Sequence, residues 1–584
     1  MMEVFSKLEW DLQDLYINEL DWKRDISLLR GSINEFTAYK DKVISTSDNL
    51  YDAMELFCSI NETANKIIAY ANLNYDKYMD FKSQEMVETV QNVLSDFEEK
   101  TSFLNNEISR LSLERFDTYV REIPDLIKYQ HEIKNILKEQ NNNANKAKSE
   151  SAHHFEILFA STYNTYQLLT QADFEFNSFT YADKEYEINY SNFGKLQESD
   201  VRTIRKKSYK EFYAPFLQYS NTLASLLNIS VKKDYLEAKL NNYKDSLEYA
   251  LSQERIPTNI FINLISHIKE QLGPLHKYVQ TKKEALKVDQ FHMYDFSAPL
   301  NKENLEIGFQ SAKDLLFKSL KPLGEEYQKI ITESFNNRWY NVNTNQMSIS
   351  YAMDVPGSHP FILLNWKNRL NDLFTLSHEL GHGAHYSFSS RDKCYPRSTP
   401  SIFISEIVAT VNELLVIKHL IHSQRMKQLS ILNYFIEKFR ISFFHQILFA
   451  EFEYSIHGYV SKGYSLTSEL LCNKYRELLK KYYGEELKLD EYSGAIWGRV
   501  PHFYSSFYVF KYATAFAAAT KIVKKLDTED GYKDKYVDLL KSSSSVDPLT
   551  LLEKSGIDFT GCDVISDCIY FFDSLVEQFK LSAT

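Results

Sequence analysis

Between about residue 26 and residue 140, apolar positions recur at intervals of three and four, as at Ile67, Ala71 and Tyr75, with charged residues between them. That is the period of a helix with one buried face, so the stretch predicts a series of amphipathic helices, one of them interrupted at Pro124. The same period returns over 200–285, where Pro257 and Thr258 mark a helix start, and over 304–336 and 401–424. It persists in most of the chain from there to about residue 580. Ahead of the first helices, Trp10, Leu12, Leu15, Tyr16 and Trp22 stand among acidic residues and read as a segment packed onto the body. Two stretches break the helical period. Residues 174–190 alternate in short pieces and predict a small hairpin. Residues 338–366 look extended, are punctuated by Gly357 and Pro360, and end in the apolar run Phe361 to Leu364, so a small sheet is expected there. Such a sheet would serve as cover for the next helix, or as an edge that pairs with an extended peptide backbone. The polar run Gln140 to Ser151, residues 289–299 and the proline-bearing run Arg391 to Pro400 read as loops, and no internal repeat is visible.

Composition sharpens this picture in a few places. A chain of 584 residues with only 16 Gly and 12 Pro favours long helices over a many-stranded β fold. The expected fold class is therefore mainly α, in two or three domains or one large two-lobed body. A net charge of -12 argues against sequence-independent binding to nucleic acid. Cys58, Cys394, Cys472, Cys562 and Cys568 are scattered and form no C-x-x-C pair, so a reducing compartment is expected. The first residues lack a basic stretch followed by an apolar core, and no run of about 18 apolar residues occurs. A cytoplasmic protein without a membrane partner is the expectation.

Candidate chemistry concentrates at residues 374–386. There His378, Glu379 and His382 spell H-E-x-x-H. Residues four apart share a helix face, so both imidazoles can reach one metal ion, and zinc takes neutral imidazole readily. Glu379, on the flank of that face, can take a proton from a metal-activated water and pass it to a leaving amine. Phe374, Leu376, Leu380 and Ala384 make the helix look buried, where two His and a Glu need partners or a metal. A catalytic zinc expects a third ligand. The helical segment from Ser401 offers Glu406, 24 residues after His382. Glu413, two turns further on the same face, could orient one histidine through the ring nitrogen that does not touch metal. His385 reads as structural.

The string from Asp372 through His378-Glu379-Leu-Gly-His382, followed by Glu406 to Asn412-Glu413, closely resembles oligoendopeptidase F, of the thimet-oligopeptidase-like zinc metallopeptidases. Trp10 to Tyr16, Tyr294-Asp295, His359 to Asn365, and Trp497 to Tyr504 with Phe507 to Thr514 resemble further segments of that family, in order and nearly end to end. The resemblance implies a two-lobed helical body around a deep channel, with a small sheet beside the zinc helix. Residues 1–195 would form an N-terminal helical lobe region and 196–584 the catalytic region. It implies one Zn2+ per chain, held by His378, His382 and Glu406, and an endopeptidase acting on short unstructured peptides. It also implies that His502 and Tyr508 face the metal and steady the oxyanion, with Tyr504 and Tyr512 as rivals for that role. The sequence departs from the family at Ile349, Ala352, Ala409 and Ala515, none of which removes a ligand or the base. Two other readings compete: an exopeptidase on the same fold, and a peptide-binding protein with an inactive zinc site.

Overall fold

The structure is a computed structural model that describes residues 9–130, 132–134, 136–137, 161–300, 306–343, 350–389, 401–423, 428–542 and 546–583. The expected loops at 140–151 and 391–400, and the departure at Ile349, lie outside the described residues. The fold is mainly helical. In chain order the elements used below are α1 (Glu19–Phe36), α2 (Ser47–Tyr78), α3 (Phe81–Thr101), β1 (Phe179–Tyr181), β2 (Lys184–Tyr186), α4 (Arg202–Gln218), α5 (Ser220–Leu240) and α6 (Glu325–Asn336). They continue with β3 (Tyr340–Asn343), β4 (Tyr351–Met353), β5 (Phe361–Asn365), α7 (Leu370–Ser389), α8 (Ile402–Ser423), α9 (Gln446–Ser461), α10 (Phe510–Thr528) and α11 (Tyr532–Lys541).

The chain divides into two compact units, each built from separate stretches. The first comprises Met1–Ala144, Glu306–Glu413 and Glu529–Leu551, and the second comprises Asn145–Leu305, Leu414–Thr528 and Leu552–Thr584. In the first unit α1 to α3 bury an apolar face that includes Ile67 and Ala71, with Trp22, Ile33, Phe36 and Leu50 beside them, while Tyr75 at the end of the expected stripe is exposed. The opening segment joins this core: Trp10 donates its indole N–H to Trp339 O at 2.9 Å and sets its ring edge-on to Phe361.

The small sheet runs in the order β3-β5-β4, with β3 parallel and β4 antiparallel to β5. Its central strand explains the uninterrupted apolar run Phe361-Ile-Leu-Leu364. Both faces are covered, so alternation with polar residues has no use. Phe361 and Leu363 enter the N-terminal core, while Ile362 meets α7, where a Cβ on Gly383 would stand 3.1 Å from its Cδ1. Each of these fully buried side chains contributes roughly 1.5–3 kcal/mol.

In the second unit the expected hairpin is present as β1 and β2, joined through Ala182 and Asp183 at φ 48° and 59°. Left-handed backbone at both central residues is the tight turn whose twist matches two paired strands. The Tyr294-Asp295 element is structural: buried Asp295 accepts from Arg202 at 2.7 Å and from Arg205 at 3.1 Å.

Candidate metal and catalytic site

Helix α7 begins where Asp372 folds back on the chain ahead of it. Its Oδ2 accepts the amides of Lys367 at 2.7 Å and Arg369 at 2.9 Å, which holds the chain just ahead of the helix in place. The next two turns carry His378, Glu379 and His382. Helix α8 packs against them at very short range. A Cβ on Gly381 would lie 2.6 Å from Ala409 Cα, so the helices approach as they do only because residue 381 is glycine and residue 409 is small. Asn412 then bridges the two elements. It donates to Ser377 O at 3.1 Å and accepts from the Tyr327 hydroxyl of α6 at 2.8 Å, all within the core.

This packing sets the donor atoms. His378 Nε2 and His382 Nε2 are 3.1 Å apart. Glu406 Oε2 lies 3.7 Å from the first and its Oε1 3.9 Å from the second. Ligand atoms around a tetrahedral zinc, each about 2.0–2.1 Å from the metal, lie roughly 3.3–3.4 Å from one another. The three separations bracket that spacing, so the residues fit the ion. Among the described residues, this trio is the one group with metal-holding geometry. The second nitrogen of His378, Nδ1, is 2.7 Å from Glu413 Oε1, the contact expected of a carboxylate that orients a metal histidine. His385 is instead buried with Nδ1 3.0 Å from Ser405 Oγ.

The electrostatics are those of carboxylates crowded in a dry place. Burial, reinforced by Glu406 and Glu413 against the opposing pull of His378, pushes Glu379 up to about 7. Burial and like charge act the same way on Glu406. For His378, burial disfavours the charged ring, but the Glu413 carboxylate overrides it and takes the ring up to about 9. Glu379 also accepts a hydrogen bond from the backbone amide of Ala352 on β4. Sequence reasoning missed both this amide and the Asn412 bridge. Asn412 stands beside Glu413 in the motif, but its work depends on Tyr327, 85 residues away.

The remaining candidates belong to the second unit. His502 and Tyr508 lie with rings nearly parallel, centroids 5.9 Å apart, and Tyr512 meets both edge-on at 5.9 and 5.5 Å. Tyr504 turns elsewhere and packs on Tyr166 at 4.6 Å. Burial holds His502 below the usual imidazole range.

The class that this fold and site define is a peptidase. The chain belongs to Peptidase family M3, whose description matches residues 195–567. It is 34% identical over 587 residues to Oligopeptidase PepF of Bacillus subtilis (strain 168), covering 99% of this chain and 88% of that protein. It is 31% identical to Group B oligopeptidase PepB of Streptococcus agalactiae, covering 99% of this chain and 98% of that one. Its structure is similar to that of oligoendopeptidase-F from Enterococcus faecium, with TM-score 0.75, 27% identity, and coverage of 96% and 98% of the two chains. The resemblance to oligoendopeptidase F is thus borne out, as is a mainly helical fold. Among the described residues no helix is long and apolar enough to cross a membrane.

Proposed function

We propose that this protein is a zinc-dependent endopeptidase that cleaves internal bonds of short, unstructured peptides. The observation that carries the reading is the convergence of His378, His382 and Glu406 donor atoms within 4.8 Å, next to a buried Glu379. His378, His382 and Glu406 would hold one zinc ion per chain. When bound, the ion supplies a Lewis acid that polarises the scissile carbonyl and acidifies a water. Glu379 takes the proton of the attacking water and delivers it to the leaving amine, its carboxylate aimed by the Ala352 amide. Glu413 fixes His378 through Nδ1, which leaves Nε2 as the nitrogen that would hold the metal. His502 and Tyr508 donate to the oxygen on which negative charge develops. Their role is supported by the family resemblance of their segment and by their mutual packing. Residues 196–584 act as the catalytic region and 1–195 as the N-terminal helical region, since the family match covers 195–567 and all candidate site residues lie within that span. A cytoplasmic setting is consistent with the free thiols of Cys472, Cys562 and Cys568.

The test is cleavage of an internally quenched peptide blocked at both ends, with the cut located by mass spectrometry. Internal cleavage that a chelator stops and zinc restores is expected. Glu379→Gln is expected to bind zinc and to turn over at most a small fraction as fast. Full activity in that variant sinks the mechanism, and cleavage only of peptides with free ends converts the reading to an exopeptidase.

A further inference from the structure

The segment that carries His502 and Tyr508 rests on three buried ionisable side chains that the mechanism above leaves unused. Glu453 and His457 lie one turn apart on α9, and Asp234 comes from α5. Glu453 is 0% exposed, Asp234 4% and His457 6%. Their grip on the segment is specific. Phe507 N–H donates to Glu453 Oε1 at 2.7 Å. The His457 and Phe507 rings lie 4.6 Å apart, and the Ser506 side chain hydrogen-bonds Asp234.

Phe507 needs such a grip, because its φ is 52°. A bulky side chain in the left-handed region is strained by about 1–3 kcal/mol and stays there only when its surroundings impose it. The kink lies immediately before Tyr508 and α10, and Tyr508 is the residue whose ring is set parallel to His502. The cluster beneath is poorly satisfied. Glu453 Oε2, Asp234 Oδ2 and both nitrogens of His457 have no hydrogen-bond partner among the described residues, and His457 Nε2 stops 3.7 Å from Asp234 Oδ2. Buried polar atoms left unpaired cost stability, and an apolar core would avoid them. Their concentration under one strained residue marks a place where stability is given up for geometry.

We infer that Glu453 is a positioning residue for the peptidase reaction: by accepting the Phe507 amide it fixes the left-handed turn that aims Tyr508 and His502. This rests on the reading that those two residues steady the developing oxyanion. Burial pushes the Glu453 carboxyl above the usual range against the pull of the Phe507 amide, and glutamine keeps an acceptor oxygen for that amide without a charge.

The experiment compares Glu453→Gln and Glu453→Met in the full chain loaded with zinc. Glu453→Gln is expected to keep kcat within about twofold. Glu453→Met, similar in volume but without the acceptor, is expected to lose roughly 30- to 100-fold in kcat, the scale of a 1 Å misplacement, with KM and zinc content unchanged. A phosphinic peptide that mimics the tetrahedral state should lose affinity for Glu453→Met by the same factor. Amide hydrogen exchange of the peptide spanning 502–508 should be roughly tenfold faster or more in Glu453→Met while other regions keep their protection. That readout is independent of turnover and exposes a variant that has merely misfolded. Tyr508→Phe separates two failures. If it lowers kcat while Glu453→Met does not, the positioning role is overturned. If neither variant lowers kcat, the oxyanion role of the segment is what fails, and the inference falls with it.

Discussion

Gly381→Ala is expected to destabilise the protein and loosen its metal site, against the ordinary rule that alanine improves a helix. In an exposed helix interior the exchange gains about 1 kcal/mol. Here the new Cβ would stand 2.6 Å from Ala409 Cα, 3.1 Å from Ala409 N and 3.2 Å from Asn412 Nδ2. Carbon atoms rest at about 3.5–4.0 Å, so α7 and α8 must part by roughly 1 Å, and overpacking of that kind costs about 1–3 kcal/mol. The displaced helix carries Glu406 and Glu413, whose contacts with His378 are 3.7 and 2.7 Å, so each lengthens by a comparable amount. Metal sites tolerate about 0.2 Å, and disturbed supporting contacts lower affinity about 10- to 100-fold. Competition with a chromogenic chelator measures the affinity directly. Thermal melts with excess zinc and with EDTA give the same quantity by linkage: each tenfold loss removes about 1.4 kcal/mol of zinc-dependent stabilisation. A variant as stable as the parent with unchanged zinc affinity would refute the argument from helix proximity.

Other predictions follow from the same contacts. Glu413→Gln keeps an acceptor for His378 Nδ1 but removes the charge, and should bind zinc about 10- to 100-fold more weakly in the same competition assay; parental affinity would reduce Glu413 to packing. Tyr327→Phe leaves buried Asn412 Oδ1 without its donor and should cost about 1–3 kcal/mol in denaturant melts, more than an exposed Tyr→Phe change. Asp234→Asn should stabilise the protein increasingly as pH rises. Burial, opposed by Lys233 and Ser506 and helped by Glu237, raises Asp234 to about 7, with neutral His457 beside it. A carboxyl raised on folding leaves stability intact below its unfolded value near 4 and subtracts it as pH climbs through 7. The difference between variant and parent should grow by on the order of 4 kcal/mol between about pH 4 and pH 7 and level off above; a constant difference would contradict the assignment.

Much of this was legible in the chain because it depends on local spacing. H-E-x-x-H needs only a helix, and the stripe through Ile67 and Ala71 needs only a buried face, whereas Tyr75, read as part of it, stays exposed. The run Phe361 to Leu364 announced a covered strand, but not that β3 would pair with it in parallel, since that pairing is between residues more than 20 apart. Ala409 read as a substitution of unknown effect, whereas its small size lets Gly381 approach. Tyr504, Tyr508 and Tyr512 were equivalent by spacing, four residues each. Tertiary packing separates them, seating Tyr504 among Tyr163 and Tyr166 and the other two beside His502. Glu453 gave no sign at all, because its meaning lies in a backbone amide 54 residues away.

The interleaving of the two units has a consequence for biosynthesis. A ribosome that has translated through Thr528 has already delivered every candidate ligand, the base and both proposed oxyanion donors, yet the first unit still lacks Glu529–Leu551. That last stretch includes α11, which packs directly against the metal helix α7. Loop closure over such long separations is slow and cannot precede synthesis of the closing segment. The candidate site therefore gains one of its packing partners, α11, only after all of its own residues have been made.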